Sequence, residues 1–342
     1  MQALPVIALT GYLGAGKTTL LNHVLRSPDA RIGVVINDFG ELNVDAALVT
    51  GQVDEPASIA GGCICCLPDD DGLDAALAKL ADPRLRLDAV VVEASGLADP
   101  IAIARMIRFS GIDRVRPGGV VDVVDAATHF DTVDRDPLPP ARYAAATLIV
   151  VNKLDQIPEA DRAAALDRIE TRVRELNPHA QVVGATAGRI DPALLFDVSA
   201  EEVADGQLTL RELFVDATAA AHADDHDHDH AAAVTERSDG GVDPAAVVDL
   251  LEHPPAGVYR LKGTIGVRYR AGLRSYSINV VGPSIHIAPA PSGAAANSLV
   301  AIGMHLDADI VRDRLRTALR PVDGVAPAQG VRRLQRYRRL SV

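Results

Sequence analysis

The chain has 342 residues, 23% of them charged and 48% hydrophobic, which is a globular composition at a length that favours two domains. Its net charge of −12 argues against a nucleic-acid partner, and no apolar stretch reaches the roughly 18 residues that span a bilayer, which argues against a membrane one. All three cysteines fall within four positions, unlike a secreted disulfide scaffold, and the apolar start reads as a core strand and not a signal peptide, so a reducing, cytoplasmic setting is expected.

The apolar run Val6 to Leu9 predicts a buried strand, and Thr19 to Leu25 predicts a helix. Between them, Gly11 to Thr18 fits Gly, four residues, Gly, Lys, then Ser or Thr. Strand, glycine loop and helix are the context in which this pattern cradles phosphates. Backbone N–H groups of Gly14, Ala15, Gly16, Lys17, Thr18 and Thr19 are the expected cradle. Lys17 would reach the β- and γ-phosphates, and the Thr18 hydroxyl would hold Mg²⁺.

Ile32 to Ile36 predicts a second strand, followed by a polar loop, Asn37 to Asp45. Gly62-Cys63-Ile64-Cys65-Cys66 then places three soft ligands in one short loop, which suits a thiophilic ion such as Zn²⁺, and Co²⁺ accepts the same set. Three thiolates leave a tetrahedral ion one ligand short; water, Glu41, Asp38, a histidine or a partner's residue could complete it. Buried small hydrophobes and a redox switch are the alternatives for this loop.

Leu87 to Val92 predicts a strand that ends at Glu93, ahead of Ala94-Ser95-Gly96-Leu97-Ala98-Asp99-Pro100. Glu93 could bind Mg²⁺ through water or orient an attacking water, and the Gly96 N–H could sense a γ-phosphate. Asp99 also reads as a helix N-cap. Val120 to Val124 and Thr147 to Val151 predict two more strands, and Asn152-Lys153-Leu154-Asp155 follows the second. The Asp155 carboxylate can accept from the ring N–H and exocyclic amine of guanine, which adenine does not offer, while Asn152 and Lys153 brace the loop and cover the ring. A helix over Arg162 to Leu176 and a strand over Gln181 to Gly184 follow, with Ala185 to Gly188 as a candidate end of the base pocket. Apolar strands alternating with helices predict a mainly parallel sheet covered on both faces, with ligands at the C-terminal strand ends.

With these motifs in hand, the chain resembles the CobW-like metal-chaperone GTPases, relatives of the nickel-inserting GTPases of urease and hydrogenase maturation. The resemblance rests on GYLGAGKTT, NDFGELNVD, GGCICC, EASGLADP and NKLD, and extends through YRLKG and LVAIG, so it covers most of the chain. It implies a GTPase in which metal at Cys63, Cys65 and Cys66 is coupled to nucleotide state and delivered to a client apo-metalloprotein. It also places Glu41 and Asp38 in a switch loop.

Downstream, His222 to His230 alternates with aspartate and cannot build a packed core. His226, His228 and His230 are weak candidate metal ligands there. Asp243-Pro244 opens a helix, four short strands follow, and Asp307 opens a final helix, which together predict a small α/β sandwich with an antiparallel sheet. Arg332 to Arg339 could meet an acidic surface or form a solvated tail or helix end. The fold expected is therefore α/β: a P-loop GTPase domain over 1–205, a flexible His/Asp-rich linker over 206–241, and an α+β domain over 242–342. The function expected is a GTP-hydrolysing metallochaperone that uses GTP/GDP and Mg²⁺, carries Zn²⁺ or Co²⁺, and serves a client metalloprotein. An accessory GTPase of cobalamin metabolism and a metal sensor or store are the alternatives, and a homodimer is compatible with the sequence.

Overall fold

A computed structural model of the chain describes residues 3–26, 30–36, 57–58, 71–96, 98–196, 231–290 and 297–341. Its first sheet is built from β1 (Leu4–Gly11), β2 (Ile32–Ile36), β3 (Ala57–Ser58), β4 (Ala89–Glu93), β5 (Val115–Asp125), β6 (Leu148–Asn152) and β7 (Gln181–Gly184). The order is β3-β2-β4-β1-β5-β6-β7, and each paired neighbour runs parallel. Parallel strands need crossovers, and the helices that supply them cover both faces. These are α1 (Lys17–Leu25), α2 (Asp71–Leu80), α3 (Pro100–Arg108), the single turn α4 (His129–Thr132) and α5 (Glu159–Arg174). Strand β1 shows why the apolar runs are continuous. Ile7 and Leu9 pack with Leu20 and Leu21 on one face, while Val6 and Ala8 pack with Leu77 and Ile103 on the other.

The second sheet is antiparallel, in the order β11-β10-β9-β12-β8. It comprises β8 (Ala232–Ser238), β9 (Val258–Tyr269), β10 (Gly272–Val281), β11 (Ser284–Pro289) and β12 (Asn297–Gly303). Helices α6 (Pro244–Glu252), α7 (Ala308–Ala318) and α8 (Ala328–Leu340) pack with it around Leu261, Ile278, Leu299, Leu315 and Leu334. Asp243 and Asp307 cap α6 and α7, each accepting N–H bonds in the first turn, as their positions in sequence predict.

Two parts of this unit differ from the sequence expectation. Residues 232–238, assigned by composition to the linker over 206–241, form β8 and pair with β12. An edge strand buries little, here chiefly Val234, so its composition resembles a linker. Helix α8 adds a third helix where a solvated tail or helix end was one option; only Gly330 and Leu334 are buried along its 13 residues, too few to announce a full helix among arginines.

The two units meet at the starts of β5 and β6, away from the C-terminal strand ends. Arg116 donates to Asn279 Oδ1 at 3.1 Å, and Thr147 Oγ1 lies 3.2 Å from Tyr259 Oη. Tyr259, Val281 and Met304 join the core cluster that holds Leu148 and Val150. Among the described residues, no helix is long and apolar enough to cross a membrane.

Candidate nucleotide site

The candidate site lies where β1, β4, β5, β6 and β7 end. The chain leaves β1 at Gly11 and enters α1 at Lys17 through a loop whose Gly14 and Gly16 take φ of 79° and 102°. Gly16 needs to be glycine for a second reason: a Cβ there would stand 2.2 Å from Asn152 Nδ2. Lys17 is nearly buried, and its Nζ donates to Gly11 O at 3.1 Å, so the ammonium is folded back over its own loop. That arrangement places a positive charge beside the glycine loop.

Thr18 Oγ1 donates to Glu93 Oε1 at 3.1 Å. Glu93 ends β4 and is buried, with Leu9 of β1 and Ile36 of β2 beside it in register. A hydroxyl and a carboxylate in contact at the foot of a phosphate loop are the donor set that a hydrated Mg²⁺ takes up. The chain then turns back over the loop. Ala94 N donates to Leu9 O at 2.9 Å, and Gly96 passes so close that a Cβ would lie 2.7 Å from Leu13 N. Ser95 Oγ is buried and has no partner among the described residues, which leaves a hydroxyl available to a bound group.

Asn152, buried at the end of β6, ties two loops together. Its Nδ2 donates to Ala15 O at 3.0 Å, and its Oδ1 accepts from Gly188 N at 2.9 Å. One amide thus sets the spacing between the phosphate loop and the turn after β7. Lys153 follows with φ 64°, and its Nζ lies 2.7 Å from Asp125 Oδ2 at the end of β5. Burial alone would raise the Asp125 pKa, but Lys153 and the N–H groups of Ala127 and Thr128 outweigh it and hold the carboxyl below its ordinary range. Asp155 is exposed in the short 3-10 turn Leu154–Gln156.

The structure therefore brings Gly14, Ala15, Gly16, Lys17, Thr18, Thr19, Glu93, Gly96, Asn152, Lys153 and Asp155 to the same end of one sheet. Asp38, Glu41, Cys63, Cys65, Cys66, His226, His228 and His230 lie outside the described residues. Among the described residues, no three His, Cys, Asp or Glu side chains are grouped to hold a metal ion.

Sequence reasoning missed the supports beneath these loops. Asp125 was one. Asp122, fully buried on β5, is another: it accepts from Thr10 Oγ1 at 2.8 Å and takes both ends of the Arg142 guanidinium at 2.6 and 2.8 Å. The next residue, Tyr143, bonds to His129 Nε2 and donates to Asp134, which Arg172 pairs at 2.9 Å. Burial, and then Asp134, push the Tyr143 pKa upward, so it stays a neutral donor. The signal available was two aspartates inside the apolar run VVDVVD, since a buried carboxylate needs a partner.

Comparison with known proteins identifies the family of both units. A model of the CobW/HypB/UreG nucleotide-binding domain matches residues 5–184, and one of the cobalamin synthesis protein cobW C-terminal domain matches residues 231–319. The chain is 32% identical over 206 residues to zinc chaperone YjiA of Escherichia coli, covering 58% of this chain and 63% of that protein. It is 33% identical over 199 residues to zinc chaperone CobW of a Sinorhizobium species, covering 49% and 56%. It is 29% identical over 225 residues to zinc-regulated GTPase metalloprotein activator 1 of Dictyostelium discoideum, covering 54% and 46%. The matches thus span less than two thirds of each of these relatives. The solved structure of Zn(II)-bound YjiA GTPase from E. coli aligns over 93% of this chain and 99% of that one, at 23% identity and a TM-score of 0.42. With its nucleotide-binding domain matched over more than half of its length, the chain belongs to the CobW/HypB/UreG family.

Proposed function

We propose that the chain binds and hydrolyses GTP and uses the nucleotide cycle to hold a Zn²⁺ ion, with Co²⁺ as the alternative cargo, and pass it to a client metalloprotein. The observation that carries the nucleotide half is the contact between Thr18 and Glu93 beside Lys17, joined through Asn152 to Lys153. In this reading Lys17 leaves Gly11 O for the β- and γ-phosphates. Thr18 and Glu93 would hold Mg²⁺, which when bound neutralises charge on the phosphate oxygens. Glu93 would also orient the water that attacks the γ-phosphorus, giving GDP and inorganic phosphate. The Gly96 N–H and the Ser95 hydroxyl would contact the γ-phosphate, so that its loss frees the loop. Asp155 would read guanine, with the Lys153 stem over the ring.

Cys63, Cys65 and Cys66 would bind the cargo, with Glu41 as a candidate fourth ligand and His226, His228 and His230 as weak collectors. The names of the relatives, zinc chaperone and zinc-regulated GTPase metalloprotein activator, favour zinc as cargo and a metalloprotein as client. The test is a competition titration of Zn²⁺, Co²⁺ and Ni²⁺ against GTP-loaded and GDP-loaded protein. We expect the GTP form to bind metal about tenfold or more tightly, a coupling of roughly 1.4 kcal/mol. A C63A/C65A/C66A variant should lose tight metal binding and keep nucleotide binding. Equal metal affinity in both nucleotide states would sink the coupling and favour a metal store. Tight binding by the triple variant would move the cargo site elsewhere.

A further inference from the structure

Charge is divided unevenly along the chain. Residues 231–342 hold fifteen Lys and Arg against nine Asp and Glu, a net of +6, whereas residues 1–230 hold nineteen against thirty-seven, a net of −18. Within the basic part, the cations are not equally engaged. On α7, Arg312 lies 2.7 Å from Asp309, Arg316 lies 3.3 Å from Glu236, and Arg314 lies 3.9 Å from Asp249. On α8, Arg333 pairs with Glu252 at 2.5 Å.

Arg332, Arg336 and Arg339 behave differently. Spacings of four and three put them on one face of α8, all three are exposed, and none makes an ion pair or hydrogen bond with any described residue. The edge of this face is built. Gln335 Nε2 donates to Tyr269 Oη and Tyr276 Oη, each at 3.2 Å, which seats the tip of the β9–β10 hairpin beside the stripe. That tip exposes Arg268, Arg270 and Arg274, with the Arg274 guanidinium 5.1 Å from the Tyr269 ring centre. Neither α8 nor the hairpin contains an acidic residue. Leu273 and Leu340 are exposed beside these arginines.

We propose that this arginine face docks an acidic segment of a partner protein. A guanidinium is a rigid fork that takes a carboxylate bidentately, and three of them along a helix present such forks at fixed spacing. The two leucines add apolar contact of the kind found at protein interfaces. Single-stranded nucleic acid is a poorer fit, because residues 231–342 contain no Phe or Trp and the hydroxyls of Tyr269, Tyr276 and Tyr337 are engaged within the domain. A bilayer surface is a poorer fit as well, because two isolated leucines are not the broad apolar face that inserts. The docking does not depend on metal being carried.

The experiment uses the full chain and a fluorescent poly-glutamate peptide as probe. The wild type should bind it, and the affinity should fall steeply as salt is raised from about 50 to about 500 mM. R332E/R336E/R339E should bind at least tenfold more weakly while keeping its melting temperature and nucleotide binding. R312E/R316E, which alters the paired arginines of α7, should bind the peptide like the wild type. If the triple reversal destabilises α8, R332Q/R336Q/R339Q keeps the helix and should still lose binding. Unchanged peptide binding by the triple variants would overturn the proposal. So would tighter binding of poly(U) RNA or of phosphatidylserine vesicles than of the peptide.

Discussion

Asn152 donates to Ala15 O and accepts from Gly188 N, both in buried surroundings. Alanine at this position would leave two backbone groups without their partner, at about 1–3 kcal/mol each. We expect Asn152→Ala to weaken nucleotide binding about tenfold or more, measured by titration with a fluorescent GDP analogue. Wild-type affinity in the variant would show that the spacing of the two loops is held by other contacts. The same residue shows what a sequence can say at this scale. The tetrapeptide NKLD identified Asn152 as a brace, but its two partners stand 137 and 36 residues away and only the fold brings them within bonding distance. The run VVDVVD marks Asp122 as a buried carboxylate in need of a partner, but its partners were not legible, since Thr10 and Arg142 reach it from separate elements.

At the scale of elements, the strands with continuous apolar runs were legible, because burial on both faces leaves no other composition open to them. Helix starts at Asp243 and Asp307 were legible because the cap is a local bond. Strand β8 and helix α8 were not, because each owes its place to a neighbour already formed. Strand β6 links the two ends of the GTPase-like unit: Asn152 closes it, and Thr147 precedes it. Thr147 Oγ1 accepts from Val120 N at 3.0 Å and meets Tyr259 of the second unit. Thr147→Val should destabilise the protein by about 1–3 kcal/mol, since it strips Val120 N–H and the buried Tyr259 hydroxyl of a partner. Urea unfolding is the measurement. A shift below about 0.5 kcal/mol would mean that the contact between the units does not rest on this bond.

At the scale of the whole molecule, the interface between the units carries a pH response. Burial first, and then the Arg116 guanidinium, push His286 from 6.5 down to about 4. The folded state therefore binds fewer protons than the unfolded chain between those values. The stability this site contributes is complete above about 6.5 and is lost as pH falls toward about 4. The melting temperature should drop between about pH 7 and about pH 5 more steeply for the wild type than for His286→Gln. Parallel curves for the two proteins would remove His286 from the acid response.

By itself the sequence determined the glycine loop between β1 and α1, the place of NKLD at the end of β6, the alternation of strands and helices, and the resemblance to the family. Each of these is written in adjacent residues, because turn geometry, helix caps and strand burial are local demands on side chains. Only the tertiary structure decided that Glu93 meets Thr18, that Asn152 joins two loops, that the second unit packs at the far end of β5 and β6, and that three arginines of α8 have no ion-pair or hydrogen-bond partner among the described residues. Those facts depend on contacts between residues far apart in the chain, whose pairing follows from how the hydrophobic faces pack and not from any local pattern.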